Sequence, residues 1–393
     1  MKSRKSFLLL LLVLLLGLGA YQYFRPLPAA SAVSTVPAPP KTMAVNLPWA
    51  AAGQSAIGAA GYGVLDSKNA AAPVSIASIA KVITALAVLQ QKPLAAGEQG
   101  PTITLDSTDQ GYFDYYYKND GSVAKVAAGE QITEYQLLQA MLIPSANNIG
   151  DSLVRWAFGS TQAYVTYANQ MVKEMGLTGT TVGNTNGFDD TTVSTAQDLV
   201  KLGLAALKDP VISDVVSQKT ANVPVQGDIK NVNWLLGTNG VFGIKTGNTD
   251  KAGGCYLFAA KRQILGQQFT MVGAVLGEPD LAHAISAGRD LLVAADNGFE
   301  KVTLIKKDQV LGSYQAPWGA QSQLKSRENL SLIVWKGKDI EISSNLDSAL
   351  APAKADATFG SVRVAGSSQS ASSPLYLSKD LPGPSLTWRL FRK

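Results

Sequence analysis

Apolar residues at positions 79, 82, 83, 86 and 89 recur with a helical period, in a stretch without glycine or proline. Pro73 and Ser75 lie just upstream, where a helix start would have them. The spacing predicts a helix with Ser78 in its first turn and Lys81 on the same face, three residues on. Lys81 is the only charge between Asn69 and Gln91, so this helix is expected to be mostly buried. Further helices are predicted over 133–142, 149–158 and 163–175, from a cap at Ser194 to about 209, and over 281–295. Residues 54–58 and 61–65 read as two strands about a turn at 59–60. Residues 254–260 and 269–276, with 240–247 just before them, suggest an antiparallel meander that places Lys245 and Thr246 near the end of its first strand. The mixed segment 102–131 reads as a surface loop anchored by Tyr112, Phe113, Tyr115, Tyr116 and Tyr117, or as a substrate-lining stretch. From Lys301 onward, short alternating runs between Gly, Pro and Asp turns predict a small all-β module.

The N-terminus follows a different pattern. Lys2, Arg4 and Lys5 precede an apolar run from Phe7 to Ala20, extended by Tyr21, Tyr23 and Phe24. This is a signal peptide or a signal anchor. The Ala-x-Ala nearest its border, Ala30-Ser31-Ala32, stands far from the apolar core, and no cysteine offers a lipid attachment. An uncleaved anchor is therefore expected, with the basic tip in the cytoplasm and the rest outside; secretion after cleavage is the alternative. Residues 26–47, rich in Pro, Ala, Ser and Thr, read as an extended linker with no core of its own. The expected domains are 1–25 (anchor or signal), 26–47 (linker), 48–299 (catalytic) and 300–393 (β-domain).

Composition narrows the chemistry. Without the three basic residues of the tip, the formal charge falls from +5 to +2, and no basic cluster in the body suggests nucleic-acid binding. A single cysteine, Cys255, excludes an intramolecular disulfide and a multi-cysteine metal site. The lone histidine, His283, is all that a Ser-His-Asp triad or a zinc site could use. No metal or cofactor is expected.

A buried lysine at a helix N-terminus has two reasons to lose its proton: desolvation disfavours the ammonium, and the positive end of the dipole repels it. A neutral amine beside a serine hydroxyl is a general base beside a nucleophile. The plainer alternative is a helix start with a lysine reaching for solvent. Ser-x-x-Lys also occurs at Ser122–Lys125 and Ser322–Lys325, but neither opens an apolar helix. Two later features stand in order behind Ser78 and Lys81. Ser145 and Asn147 lie on a connection between apolar helices, where they could project into a cleft or cap the second helix. Lys245-Thr246-Gly247 occurs once.

Ser-x-x-Lys, Ser-x-Asn and Lys-Thr-Gly in this order resemble the motif set of penicillin-binding proteins and serine β-lactamases. The surrounding residues, 77–85, 142–148, 194–199 and 243–247, are similar to those of the D-alanyl-D-alanine carboxypeptidases, the low-molecular-mass penicillin-binding proteins of bacterial cell-wall metabolism. The resemblance runs from about residue 45 to the C-terminus. It implies an α/β fold of the β-lactamase/transpeptidase type, an antiparallel sheet flanked by helices with a helical subdomain, followed by a small all-β domain. It implies removal of the terminal D-Ala from peptidoglycan stem peptides through an acyl-enzyme on Ser78, and covalent inhibition by penicillins and other β-lactams. Lys81 would take the serine proton. Ser145 would pass a proton to the leaving amine, and Asn147 would hold Lys81 and the substrate amide. Lys245 and Thr246 would bind the terminal carboxylate, Gly247 would allow close approach, and the N–H groups of Ser78 and Asn248 would form the oxyanion hole.

Ala80 and Asn148 depart from residues common in relatives, Thr and Asp. The arginine that many relatives carry after a Val-Leu-Gly like 275–277 is missing from 278–284, where His283 stands instead. A surface or packing role is expected for that histidine. A class A β-lactamase would need Glu-x-x-Leu-Asn, and the nearest match, 174–178, lacks the asparagine. The same motifs would equally serve a DD-endopeptidase that cleaves peptide cross-links. A non-hydrolytic wall-binding protein, with the β-domain as its working part, is a rival of a different class, and the three intact motifs argue against it.

Overall fold

The apolar N-terminal run is a helix, α1 (Lys2–Phe24), in a computed structural model that describes residues 2–367 and 369–392. Met1, Ser368 and Lys393, which belong to the expected terminal domains, lie outside the described residues, as do the side chains of Lys2 and Ser3 in the basic tip. Within α1, Arg4–Phe24 has a mean hydropathy of 2.2 and none of it is buried against the protein. At 1.5 Å per residue it is about 30 Å long, the thickness of a bilayer's hydrocarbon core. The chain divides into two compact units: Val45–Phe299, and the residues up to Ala44 together with those from Glu300 onward.

In the larger unit the helices are α2 (Ala80–Gln91), α3 (Ser107–Lys118), α4 (Glu134–Leu142), α5 (Asn147–Phe158), α6 (Thr161–Glu174), α7 (Ala196–Ala206), α8 (Pro210–Ser217) and α9 (Leu281–Ala295). Five antiparallel strands form its sheet, in the order Val241–Thr249, Gly253–Ile264, Gln267–Glu278, Gln54–Ala59, Gly63–Lys68. The predicted meander and the predicted N-terminal pair are thus one sheet, joined where Ala59 pairs with Met271 and Ser55 with Val275. Alternation along Gly253–Ile264 sends Tyr256 and Phe258 towards Gly288 of α9, and Leu257 towards Gly203 of α7, so helices cover both faces. Every residue of α2 from Ala80 to Leu89 is buried, Lys81 among them. A helix apolar all round belongs inside, and the other helices enclose it.

Three local expectations differ from the structure. The supposed loop at 102–131 contains α3, started by a capping box in which Asp106 accepts from Thr108 N–H and Asp109 accepts from Asp106 N–H. Its buried positions are only Asp109 and Tyr116, so hydrophobic periodicity could not reveal it. Ser194 does not cap α7: it pairs with Val74 in a two-residue ribbon, and the cap is Thr195, which accepts from Asp198 N–H. Nor do Ser145 and Asn147 cap α5, whose cap position is Ala146.

The smaller unit contains a six-stranded antiparallel sheet ordered Ser31–Ser34, Val310–Gln315, Gln321–Ser326, Ser370–Leu377, Thr358–Ala365, Glu341–Asn345, and a two-stranded sheet of Phe299–Ile305 and Leu330–Trp335. Leu311, Tyr314, Leu324, Val362, Val364 and Leu375 lie in its core. Its first strand comes from the segment expected to be an extended linker without a core. Ser31 pairs with Gln315 and Ser34 with Gly312, and Ala30 is buried beside its bridge partner Ala349. Small side chains hid this strand, because its stability comes from completing a sheet edge formed by residues far along the chain. A last helix, α10 (Leu386–Phe391), lies against α1. Arg389 donates to Tyr23 O at 3.0 Å, and Arg392 donates to Gln22 O at 3.1 Å and Pro26 O at 2.9 Å. These guanidinium groups satisfy carbonyls that the end of α1 leaves unpaired.

The edge strand supplies a direct test. Of two chains lacking α1, one beginning at Pro28 and one at Thr35, the second should unfold at a temperature roughly 4–8 °C lower, as befits the loss of about 1 kcal/mol or more. Coincident calorimetric transitions would show that 31–34 adds nothing to the sheet.

Candidate active site

Ser78 sits on a 3-10 turn, Ala77–Ile79, that runs directly into α2. Ala77 and Ile79 are buried while Ser78 stays partly exposed, which aims the hydroxyl outward from an otherwise closed turn. Lys81 follows one helical turn later and has no exposed surface. Its Nζ lies 2.8 Å from Ser78 Oγ, 2.6 Å from Asn147 Oδ1 and 2.9 Å from the backbone oxygen of Asn186. The last two are carbonyl oxygens and can only accept. They take two N–H bonds, and the third partner is a hydroxyl that can itself donate. A neutral amine, with two protons and one lone pair, fits this set. Burial holds Lys81 well below the ordinary lysine range, Lys245 lowers it further, and Asp151 opposes both.

Asn147 opens α5, and its backbone N–H donates to Ser122 O at 2.8 Å. Asn148 grips the same segment with two bonds, accepting from Ala124 N at 3.1 Å and donating to Ala124 O at 2.9 Å. Ser145 lies in the left-handed connection before α5, with φ of 71°. The residue is largely buried, and among the described residues its hydroxyl bonds neither Lys81 nor Ser78.

Lys245 and Thr246 lie on the sheet's edge strand and are both buried. Lys245 Nζ donates to Thr246 O at 3.0 Å, and burial pushes its pKa down to about 7. Gly247 passes so close to the Ser78 turn that a Cβ there would stand 3.0 Å from Ser78 N and 2.9 Å from Ala77 Cβ. The next residue, Asn248, is exposed. Ser78, Asn147 and Asn248 share a cleft of about 480 Å³ with Ser122, Phe188 and Asp190. Lys81 lies behind it, and Ser145 is not on its lining.

Nothing in the sequence marks the residues behind Lys81. The segment 184–187 is legible only as a turn, yet Asn186 supplies one of the three Lys81 contacts. Gly187, at φ of 78°, presses this turn against the nucleophile's own: a Cβ would stand 1.9 Å from Ala77 O. Asp190 accepts from Ser75 Oγ at 2.7 Å and from Thr249 Oγ1 at 2.6 Å, tying the turn to the strand that carries Lys245. His283 lies in the first turn of α9, its Nδ1 2.8 Å from the cap residue Asp280 and its side chain mostly exposed. That is a surface role. Glu278 accepts from Ala52 N–H at 2.9 Å. Among the described residues, no three His, Cys, Asp or Glu side chains converge to hold a metal ion.

Comparison with known proteins places this geometry. The chain is 25% identical to the D-alanyl-D-alanine carboxypeptidase DacF of Bacillus subtilis, over 70% of each chain. It is 30% identical to a D-alanyl-D-alanine endopeptidase of Pseudomonas aeruginosa, over 59% of this chain and 74% of that one. The crystal structure of the Streptomyces K15 DD-transpeptidase matches with a TM-score of 0.54 and 28% identity, covering 66% of this chain and 98% of that one. The fold is therefore that of the penicillin-binding transpeptidases, followed here by an all-β unit. A family model described as D-alanyl-D-alanine carboxypeptidase matches residues 42–279, which excludes most of that β unit. With more than half of its length matched, the chain belongs to the D-alanyl-D-alanine carboxypeptidase family, among the low-molecular-mass penicillin-binding proteins.

Proposed function

We propose that this protein is a serine-type D-Ala-D-Ala carboxypeptidase that removes the terminal D-Ala of peptidoglycan stem peptides, with Ser78 as nucleophile and Lys81 as its base. The observation that carries this reading is the contact of Lys81 Nζ with Ser78 Oγ at 2.8 Å, beside two carbonyl acceptors. Ser78 Oγ attacks the carbonyl carbon of the D-Ala-D-Ala bond while its proton passes to Lys81 Nζ. The oxyanion falls to the N–H groups of Ser78 and Asn248, which the close approach of Gly247 brings near one another. The C–N bond then breaks as the leaving amine takes a proton from Lys81, with Ser145 as its carrier. Water attacks the ester and frees Ser78. A β-lactam carbonyl would be attacked in the same way.

Lys245 and Thr246 bind the substrate's terminal carboxylate, and charge-assisted bonds of this kind are worth about 1.5–3 kcal/mol. The 30% identical relative named as an endopeptidase supports cross-link cleavage as a second reading. The N-terminus is a membrane anchor, with the chain beyond α1 on the outer side. The length of α1 supports this, as do the bonds from Arg389 and Arg392 to its end. So does the place of Ala30-Ser31-Ala32: cleavage there would cut through the edge strand of the β unit.

Ser78→Ala is expected to abolish labelling by a fluorescent penicillin while the protein keeps its melting temperature, and Lys81→Ala should also fail to label. Lys125→Ala and Lys325→Ala should label normally. Mass analysis of muropeptides after incubation distinguishes loss of one D-Ala from cleavage of cross-links.

Lys245→Gln should lower kcat/KM on a D-Ala-D-Ala peptide about 10–150-fold, the range that corresponds to the bond energy above. The loss should shrink on a substrate with an amidated carboxyl end, and an undiminished loss would remove Lys245 from that contact. Lys245 carries charge below its pKa of about 7 and loses it above. Wild-type kcat/KM should accordingly fall as pH rises through that value, and the limb should vanish in Lys245→Gln.

N-terminal sequencing of membrane-extracted protein should find the basic tip in place. A mature chain starting at Val33 would sink the anchor.

A further inference from the structure

We propose that Asp151 is a positioning residue for the nucleophile's base: it clamps the Thr185-Asn186 segment onto Lys81 and serves as that lysine's half-buried counter-charge. The inference rests on the reading of Lys81 as the base of Ser78 and adds a residue that no motif contains.

Asp151 lies four residues after Asn147 on α5, so both project from one helix face. Asn147 touches Lys81 directly, and Asp151 acts one layer behind. Its carboxylate accepts from three groups: Tyr116 Oη at 2.8 Å, Thr185 Oγ1, and Asn186 Nδ2 at 3.5 Å. Asn186 Nδ2 also donates to Tyr116 Oη at 2.7 Å. The other side of this segment faces α2. There Asn186 O accepts from Lys81 and Thr185 O accepts from Thr84 Oγ1 at 2.6 Å. The side chains of residues 185 and 186 are thus held by Asp151 and their carbonyls by α2. A loosened carboxylate would let the carbonyl that orients Lys81 drift.

The second part of the role is electrostatic. The groups that bear on Lys81 come from four directions: Ser78 on its own turn, Asn147 and Asp151 on α5, Asn186 on the turn, and Lys245 on the edge strand. Tyr116 on α3 and Asp189 beside the turn act on Asp151 instead. Asp151 is the anion in this set, and it opposes the lowering of Lys81 by burial and by Lys245. A base whose proton affinity falls too far cannot draw the proton from a serine hydroxyl. Asp151 keeps that affinity in a working range. Burial pushes Asp151 itself up, while its donors and Lys81 pull it back towards the ionised form.

The test is the pH dependence of acylation by a fluorescent penicillin, measured on the full chain in detergent. The acid limb reports the proton on Lys81, as a property of the coupled groups. Asp151→Asn keeps the shape of the side chain and removes its charge, so the limb should move to lower pH by about one unit. The rate on the plateau should fall, because the base is weaker. A role in packing alone would lower the melting temperature and the rate equally at every pH; an unmoved limb in a folded Asp151→Asn protein therefore overturns the proposal. If Asp151→Asn does not fold, Tyr116→Phe decides. It removes a bond that keeps the carboxylate ionised, so the limb should move the same way by a smaller amount, and an unmoved limb there is equally fatal. Failure of the underlying reading looks different: wild-type protein would not label, or Ser78→Ala would still label.

Discussion

A lysine side chain with no exposed surface is the constraint around which the larger unit is arranged. Burying an ammonium without partners is prohibitive, so Lys81 must be given acceptors or a lowered proton affinity. The structure supplies acceptors, and burial holds the amine well below the ordinary lysine range. The acceptors come from places remote in sequence, the start of α5 at Asn147 and the turn at Asn186, and both must reach α2 at once. Other features follow from holding these pieces there. Asn148 fastens α5 to the segment around Ala124, and Asp190 joins the turn to the edge strand through Thr249. Gly187 and Gly247 let two stretches of backbone press on the Ser78 turn where a side chain would collide. Apart from Lys81 and Thr84, the buried part of this helix is apolar, because what surrounds it must also exclude water.

Legibility in the sequence divides along a physical line. Features set by neighbours in the chain could be read: the helical period of α2, the three-residue spacing that puts Ser78 beside Lys81, and the alternation of the meander. The order of the three motifs then pointed to the family, and with it to the fold. Features set by distant partners could not be read. Asn186 looks like one more turn residue, since a backbone carbonyl carries no side-chain signal of what it will bond. Asp151 looks like a solvent-facing acid on an amphipathic helix, and only the arrival of Tyr116 and Thr185 shows otherwise. The edge strand at 31–34 is hidden for the same reason, its partners lying nearly three hundred residues away. Helix α3 escapes differently: it buries so little that periodicity is nearly silent, although its capping box is present in the sequence at Asp106 and Asp109.

The two buried lysines stand in different environments. Lys81 meets neutral acceptors and a hydroxyl, in a geometry suited to the free amine. Lys245 donates to the carbonyl of the next residue, and burial pushes its pKa down to about 7. Environments that separate the proton affinities of like groups are how a site obtains an acid and a base from the same residue type. The two are also coupled, since a charge on Lys245 lowers the proton affinity of Lys81.

That coupling gives the substrate's own carboxylate a part in the proposed chemistry. In the empty cleft, a proton on Lys245 repels the proton that Lys81 must accept from Ser78. A carboxylate bound to Lys245 cancels much of that repulsion and raises the affinity of Lys81 for the incoming proton. Under the proposed roles, the base strengthens when the correct chain end is in place. A peptide without a terminal carboxylate can occupy the same groove, but it leaves the repulsion standing. Discrimination of this kind acts on the rate of acylation as well as on binding, which is the more effective place for it, because only interactions that change on the way to the transition state alter kcat.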